Sequence, residues 1–305
     1  MATPQSGIVP ESGDYAVYLT LTLPPDADLA ALRRVLSGTP KITAALARET
    51  GETSLASVVA IGAAVWPRLF TQPKPADLVP FAAIQDGGRL APATPADLFI
   101  HIHANRQAAC FHLARRLMES LGKSVALVEE VHGFRNFEAR DLTGFIDGTE
   151  NPKGADVPEV AIIGADDAAF AGGSFVGIQR YIHDLARWEK QSVAEQEGVI
   201  GRTKKDSVEY DDDRKPPTAH IARVVIEENG EELEILRRGL PYGDTHEAGI
   251  YFVAYGATPH NFRKMLTRMM VEDVPGHHDH LMNFTHAVTG AAFFAPSVEL
   301  LERMG

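Results

Sequence analysis

Residues 15–23, YAVYLTLTL, concentrate β-branched and aromatic side chains as a strand does, and Pro24-Pro25 then leads into a helical pattern at Ala30–Leu36. A second apolar run over 56–66 reads as strand, and a Pro-rich loop around 73–80 follows it. Asp97–His103 predicts a strand, 106–121 a helix, and the run from Val125 to about Phe134 another strand. The second half repeats this order. Ser174–Tyr181 predicts strand and Ala186–Val199 helix; His220–Ile226, Leu233–Arg237 and Gly249–Tyr255 predict three further strands. Thr258–Met269 then predicts a helix with Pro259 near its first turn. The segments DLFIHIHANRQAACFHLARRLM and GIYFVAYGATPHNFRKMLTRMM share one succession of strand, short polar turn and helix.

A β-α-β-β-α-β order met twice implies an α+β chain, a duplicated ferredoxin-like fold with two four-stranded antiparallel sheets and peripheral helices. Periodicity lapses in the glycine- and acid-rich stretch 150–173, which sets an N-terminal domain at 1–150 and a C-terminal, cofactor-binding domain at 151–305. A large cofactor could lie between one sheet and the helices packed beneath it.

Composition narrows the partners. At 305 residues, 45% hydrophobic and 23% charged, the chain is an ordinary globular protein. Its 41 acidic against 29 basic residues give a formal net charge of −12, a poor surface for nucleic acid or an anionic membrane. No apolar run approaches the ~18–20 residues of a membrane span. The N-terminal MATPQSGIVPESGDY lacks the basic and apolar regions of a secretory signal, and one cysteine, Cys110, cannot make an intrachain disulfide. A cytoplasmic protein is expected, and a sheet-based fold with an acidic surface makes a homo-oligomer plausible.

Candidate chemistry begins at residues 144–152, GFIDGTENP. Asp-Gly and Asn-Pro make a turn by themselves, but Asp147 leaves the end of an apolar segment. Two more such positions follow in the second half: His220 in PPTAHIARVVI, and Arg237 with Arg238 in EILRRGLPYG. Each alone has a structural explanation as turn, cap or edge cation. HExxH, CxxC, a GxGxxG after a strand and the P-loop are all lacking, so the common zinc, disulfide-redox, dinucleotide and phosphate sites have no support. Haem-dependent peroxide chemistry would use one His, one Asp and one Arg, as axial ligand, base and cation.

With GFIDGTENP, the EGVIGRTKKDS stretch at 197–207, the His220 segment and LRRGLPYG in this order, the chain resembles the dye-decolourising peroxidases over nearly its whole length. The spacings, 73 residues from Asp147 to His220 and 17 from His220 to Arg237, are similar to those of the bacterial B-type members. The resemblance implies haem b, with His220 as proximal iron ligand, Asp147 as distal acid/base and Arg237 as distal cation. It implies an enzyme that reduces hydrogen peroxide through an oxoferryl intermediate and oxidises bulky aromatic or dye-like donors one electron at a time. A haem-handling protein with slow turnover is the alternative, and a cofactor-free ferredoxin-like module a more distant one. Arg202 is a candidate haem-propionate partner, Gly148 and Thr149 are candidate haem contacts, and Asp279 in PGHHDHLM is the candidate carboxylate behind His220. The histidines around Asp279 could instead form a surface metal site or a solvated loop. B-type relatives often carry Ser or Asn where this chain has Gly239. Electrons from bulky donors would have to pass through aromatic side chains, for which Trp66, Trp188, Tyr181, Tyr242, Tyr251 and Tyr255 are available.

Overall fold

The computed structural model describes residues 2–304. Nine strands form the main sheet: β1 (Tyr15–Thr22), β2 (Ala56–Gly62), β3 (Leu98–Ala104), β4 (Ala126–Phe134), β5 (Ser174–His183), β6 (Leu236–Arg237), β7 (Leu240–Gly243), β8 (Ala248–Gly256) and β9 (Thr285–Ala295). Every pairing is antiparallel. The order is β6-β8-β7-β4-β1-β3-β2-β9-β5, and β8 also pairs with β5, so the sheet closes on itself.

In place of two separate four-stranded sheets, hydrogen bonding runs through a single sheet. The joins between the two sequence halves are short: Phe293 and Phe294 of β9 against Gly62 and Ile61 of β2, and Tyr242 of β7 against Gly133 of β4. Within each half the strands are ordered fourth, first, third, second, provided β6 and β7 are counted as one strand interrupted at Arg238-Gly239.

Alternation along the strands builds two apolar layers, because successive side chains point to opposite faces. Val17, Leu19 and Leu21 of β1 face outward onto helices α1 (Leu29–Thr50) and α2 (Gln107–Leu121), against Leu32, Leu36, Leu113 and Leu117. Ala16 and Tyr18 face inward, where Tyr18 stacks on Tyr251 at 4.2 Å between ring centroids and Phe99 on Phe293 at 5.7 Å. Helix α1 extends well beyond the expected Ala30–Leu36, running past Pro40 to a left-handed Gly51.

Three elements of the second half differ from the sequence pattern. Residues 220–226 were expected as strand, yet His220–Val224 is a short helix, α3. Its buried Arg223 donates to the carbonyls of Arg268 and Val271 and to Asp273, at the end of helix α4 (His260–Met270), and this tertiary anchor overrides the β-branched composition. Of the expected strand Leu233–Arg237 only Leu236 and Arg237 pair. The expected helix Ala186–Val199 is two short helices, Leu185–Trp188 and Val193–Ile200, the second begun by a Ser192–Glu195 capping box.

Helices α3 and α4 lie over the outward face of the second half. Phe262 of α4 stacks on Phe252 of β8 at 5.7 Å, and Leu266 and Met270 pack with Tyr181 and Ala287. The β5–β8 pairing beneath them is close, since a Cβ on Gly249 would sit 1.9 Å from the Tyr181 carbonyl oxygen. Gly249→Ala should therefore destabilise the fold by roughly 1–3 kcal/mol, read as a lowered denaturation midpoint; an unchanged midpoint would show that this closing pair tolerates a wider separation.

Candidate active site

A pocket opens between the outward face of β5 and β8 and helices α3 and α4, with about 1360 Å³ of empty space including its open mouth. A slot between a sheet face and two helices has the shape for a flat ligand. Its walls are mostly apolar, with Ile250, Phe252, Phe262, Met265 and Met269 among them. The i, i+3, i+4, i+7 spacing of Phe262, Met265, Leu266 and Met269 puts one face of α4 on the pocket.

His220 opens α3 and lines this pocket. Its Nδ1 lies 2.6 Å from Oδ2 of Asp279, whose side chain is fully buried. Asp279 is held in turn: its Oδ1 accepts the Leu281 N–H at 2.9 Å, and its own N–H donates to the Met269 carbonyl at 3.1 Å. The next residue, His280, donates its backbone N–H to Thr218, two residues before His220. A ring whose Nδ1–H donates to a carboxylate presents Nε2 as its free lone pair. Beside this pair the Tyr181 phenol is driven well above its ordinary value by burial and by the negative charge of Asp279, which keeps it protonated and donating to Gln179.

GFIDGTENP is a turn, and more. Arg140 and Ile146 form an antiparallel bridge, Asp141 N–H donates to the Phe145 carbonyl at 2.8 Å, and Gly144 and Gly148 take the left-handed φ values of 89° and 80°. The Asp147 N–H donates to the Ala139 carbonyl at 3.0 Å, and its side chain enters the pocket wall. There its Oδ1 faces Nη2 of Arg237 at 3.9 Å, a charge pair without a direct hydrogen bond. Gly148 and Thr149 line the same wall.

Arg237 and Arg238 diverge. Arg237 lines the pocket, whereas Arg238 is buried and donates to the Ile8 carbonyl at 3.2 Å and the Val9 carbonyl at 2.6 Å. A Cβ on Gly239 would lie 2.4 Å from the Tyr251 carbonyl oxygen, so the main chain of β8 occupies the space that Ser or Asn would need.

Arg202 also lines the pocket, but it is not free. One Nη donates to the Ser207 carbonyl, while the other contacts Glu150 and Glu209. Its buried Nε has no partner among the described residues. The acids Glu232 and Glu234 complete that side of the pocket, where burial and the neighbouring carboxylates raise the Glu232 carboxyl above its ordinary value.

Sequence patterning missed one polar cluster here. Asp141 and His183 line the pocket 3.2 Å apart, His183 Nδ1 meets the Thr285 hydroxyl at 2.8 Å, and Asp141 accepts the Thr143 N–H and hydroxyl. Trp188, buried against Phe145, donates its indole N–H to the Thr143 carbonyl at 2.9 Å. His183 lies two residues beyond the expected strand Ser174–Tyr181 and Asp141 in the chain before GFIDGTENP, so only the fold brings them together. The six candidate aromatic relays are all buried.

An apolar slot with a carboxylate-backed imidazole and an acid–guanidinium pair on its walls has the chemistry of the haem peroxidase class. The comparisons agree. The family models "Dyp-type peroxidase, N-terminal" and "Dyp-type peroxidase, C-terminal" match residues 5–135 and 138–300. A dye-decolorizing peroxidase of Mycolicibacterium paratuberculosis is 43% identical over 94% of this chain and 82% of its own, and one of Mycobacterium tuberculosis is 42% identical over 94% and 86%. Among solved structures, a Dyp-type peroxidase from Shewanella oneidensis has a TM-score of 0.95 at 41% identity, covering 99% of both chains. A DypB variant from Rhodococcus jostii in complex with heme has a TM-score of 0.93 at 40% identity, covering 98% of both. The chain belongs to the Dyp-type peroxidase family.

Burial alone would raise the Asp141 carboxyl, but the hydrogen bonds and charge of His183 and the bonds from Thr143 outweigh it and hold the pKa at about 2, below the usual 3.8. A depressed carboxyl stabilises the fold above its unfolded value and ceases to do so as pH falls through its folded value. Wild type should therefore lose stability relative to Asp141→Asn as pH drops from about 4 to about 2, measured by urea denaturation at each pH. A difference between the two that stays constant across that window would remove Asp141 from the acid response.

Proposed function

We propose that this chain is a haem b peroxidase in which His220 is the axial ligand, Asp147 the proton carrier and Arg237 the cation that faces peroxide. The observation that carries this reading is the His220–Asp279 hydrogen bond in the same apolar pocket as the Asp147–Arg237 pair. The residues fit the group: the slot is apolar, one imidazole nitrogen is left for a metal, and the orphaned Nε of Arg202 is a donor for an acidic edge. Bound there, haem supplies the iron at which hydrogen peroxide is reduced and the oxidising equivalents that a donor then consumes.

The protein's own groups do the rest. Asp279 accepts the Nδ1–H of His220, which fixes the ring and strengthens the other nitrogen as a ligand. An ionised Asp147 takes a proton from peroxide and returns it to the departing oxygen, a positioned transfer worth ~10²–10⁴-fold. Arg237 stabilises the negative charge that grows during that transfer, and its lasting positive charge suits it to the role. Arg202, Gly148 and Thr149, which line the same pocket, would help to hold the haem. A haem-handling protein would have no need of an acid and a guanidinium held together at the reacting end, which favours turnover over storage.

The donor is an aromatic or dye-like molecule that gives up electrons singly from outside the pocket, through one or more of the buried aromatic side chains. The two halves, 1–150 and 151–305, are read as a duplicated ferredoxin-like unit, supported by their repeated strand order. A cytoplasmic homo-oligomer completes the reading. Its supports are the lone buried Cys110 and the exposed apolar side chains of Leu127, Val128 and Phe137. Among the described residues no helix is long and apolar enough to cross a membrane.

Absorption spectroscopy before and after one equivalent of hydrogen peroxide tests the assignment. His220→Ala should lose the haem band or hold it weakly. Arg237→Leu and Asp147→Asn should each keep it and slow the peroxide-driven change by on the order of 10²-fold. Full haem retention with an unchanged spectrum in the first variant, or full speed in the other two, would sink the corresponding role.

A further inference from the structure

We propose that Asn151 is a positioning residue: its side-chain amide holds the main chain of Arg237 and so sets the guanidinium against Asp147. The inference rests on the peroxidase reading for its kinetic consequence. Its geometry stands alone. Oδ1 of Asn151 accepts the Arg237 N–H at 2.8 Å, and Nδ2 donates to the Arg237 carbonyl at 3.1 Å. Both polar groups of one residue are thus held by one side chain, as a neighbouring strand would hold them.

The fold leaves this place open. Strand β6 is only two residues long, with Leu236 opposite Tyr255 and Arg237 opposite Ala254 of β8. Arg238 returns its N–H to β8 at the Val253 carbonyl, 2.9 Å away. The N–H and C=O of Arg237 therefore face the edge that carries no strand, and Asn151 fills that edge. Gly148 makes room for it: Asn151 N–H donates to the Gly148 carbonyl at 3.1 Å, and a Cβ on Gly148 would lie 3.3 Å from Nδ2.

Asp147 and Asn151 thus belong to one turn. The turn aims Asp147 into the pocket and, four residues on, fastens the backbone of the residue that faces it. The acid and the cation share a mount, so their 3.9 Å separation does not depend on the longer path through β8.

The same device occurs far from the pocket and provides a control. Gln5 Oε1 accepts the Val59 N–H at 2.7 Å and its Nε2 donates to the Val59 carbonyl at 2.8 Å, on an edge of β2. Gln5 does not line the pocket. Removing it should cost stability without touching the reaction.

In the holoenzyme, Asn151→Ala should keep its haem and its KM for the electron donor. It should slow the first peroxide-driven spectral change by on the order of 10- to 100-fold, the scale of an ångström-sized misplacement. Deuterium exchange at the Arg237 amide should rise on the order of 5- to 10-fold, as for one lost hydrogen bond, with the Arg238 amide unchanged. Asn151→Asp keeps the acceptor and should retain most of the Arg237 amide protection. Gln5→Ala should lower the melting temperature and leave the peroxide step alone. The proposal is overturned by a peroxide step of wild-type speed in Asn151→Ala, by an unchanged Arg237 amide, or by an equal slowing in Gln5→Ala. A wild type inert to peroxide would overturn the peroxidase reading and the kinetic half of this proposal with it, while the amide result still decides the clamp.

Discussion

A 2.6 Å hydrogen bond between Nδ1 of His220 and the fully buried carboxylate of Asp279 determines how the second half of the chain has to fold. A carboxylate removed from water needs donors, and Asp279 has two, the imidazole and the Leu281 N–H. To bring them together, α3 must end its approach beside the segment that follows α4. Arg223 ties α3 to the end of α4, and His280 ties that segment back to Thr218. Helix carbonyls that would otherwise lack partners are satisfied by the same contacts. The imidazole thus arrives with its orientation and its free nitrogen already set.

The opposite wall obeys a different constraint. Asp147, Gly148 and Asn151 come from an irregular connector, and irregular chain beside a pocket must find partners for its own N–H and C=O groups. The bridge of Arg140 to Ile146, the Asp141 N–H on the Phe145 carbonyl and the Asp141 carboxylate that accepts the Thr143 N–H supply some of them. One wall is therefore held by helices and a buried carboxylate, and the other by hydrogen bonds that tie a loop to its neighbours. A site that must hold reacting groups to a fraction of an ångström needs both.

Long periodic segments were legible in the sequence. The β1, β3, β4, β5 and β8 patterns and the face of α4 each place an element near where it lies, because hydrophobic period follows directly from which face is buried. The joining of the two halves into one sheet was not legible: it rests on two pairs at Phe293 and Phe294 and one at Tyr242, too few residues to leave a pattern. His220–Val224 reads as strand because Ile221, Val224, Val225 and Ile226 make HIARVVI rich in β-branched residues, while what makes it helical is Arg223 reaching residues forty or more positions away. Asp147, His220 and Arg237 stood out because each is a titratable or cationic residue in an apolar setting, His220 at the start of its run and the other two at the end. Asp279 stood among histidines that could equally have been a surface loop, and Asp141 with His183 had no local signal at all.

The adjacent arginines illustrate how much one strand can decide. Successive residues face opposite ways, so placing Arg237 on the pocket sends Arg238 into the closed interior. A buried guanidinium requires acceptors, which the Ile8 and Val9 carbonyls of the N-terminal segment supply, and burial lowers its pKa. Two histidines share that interior. Burial first, then His103 and then the charge of Arg238, pushes His101 far below its ordinary value; burial and Arg238, against a hydrogen bond to the Gly7 carbonyl, bring His103 down to about 4, so both are neutral near neutral pH. The strand then breaks at Gly239, where the β8 main chain approaches too closely for a side chain. A polar side chain beyond Arg237 is thereby excluded by the same packing that anchors the N-terminal segment, and Asp147 becomes the charged partner that Arg237 meets in the pocket.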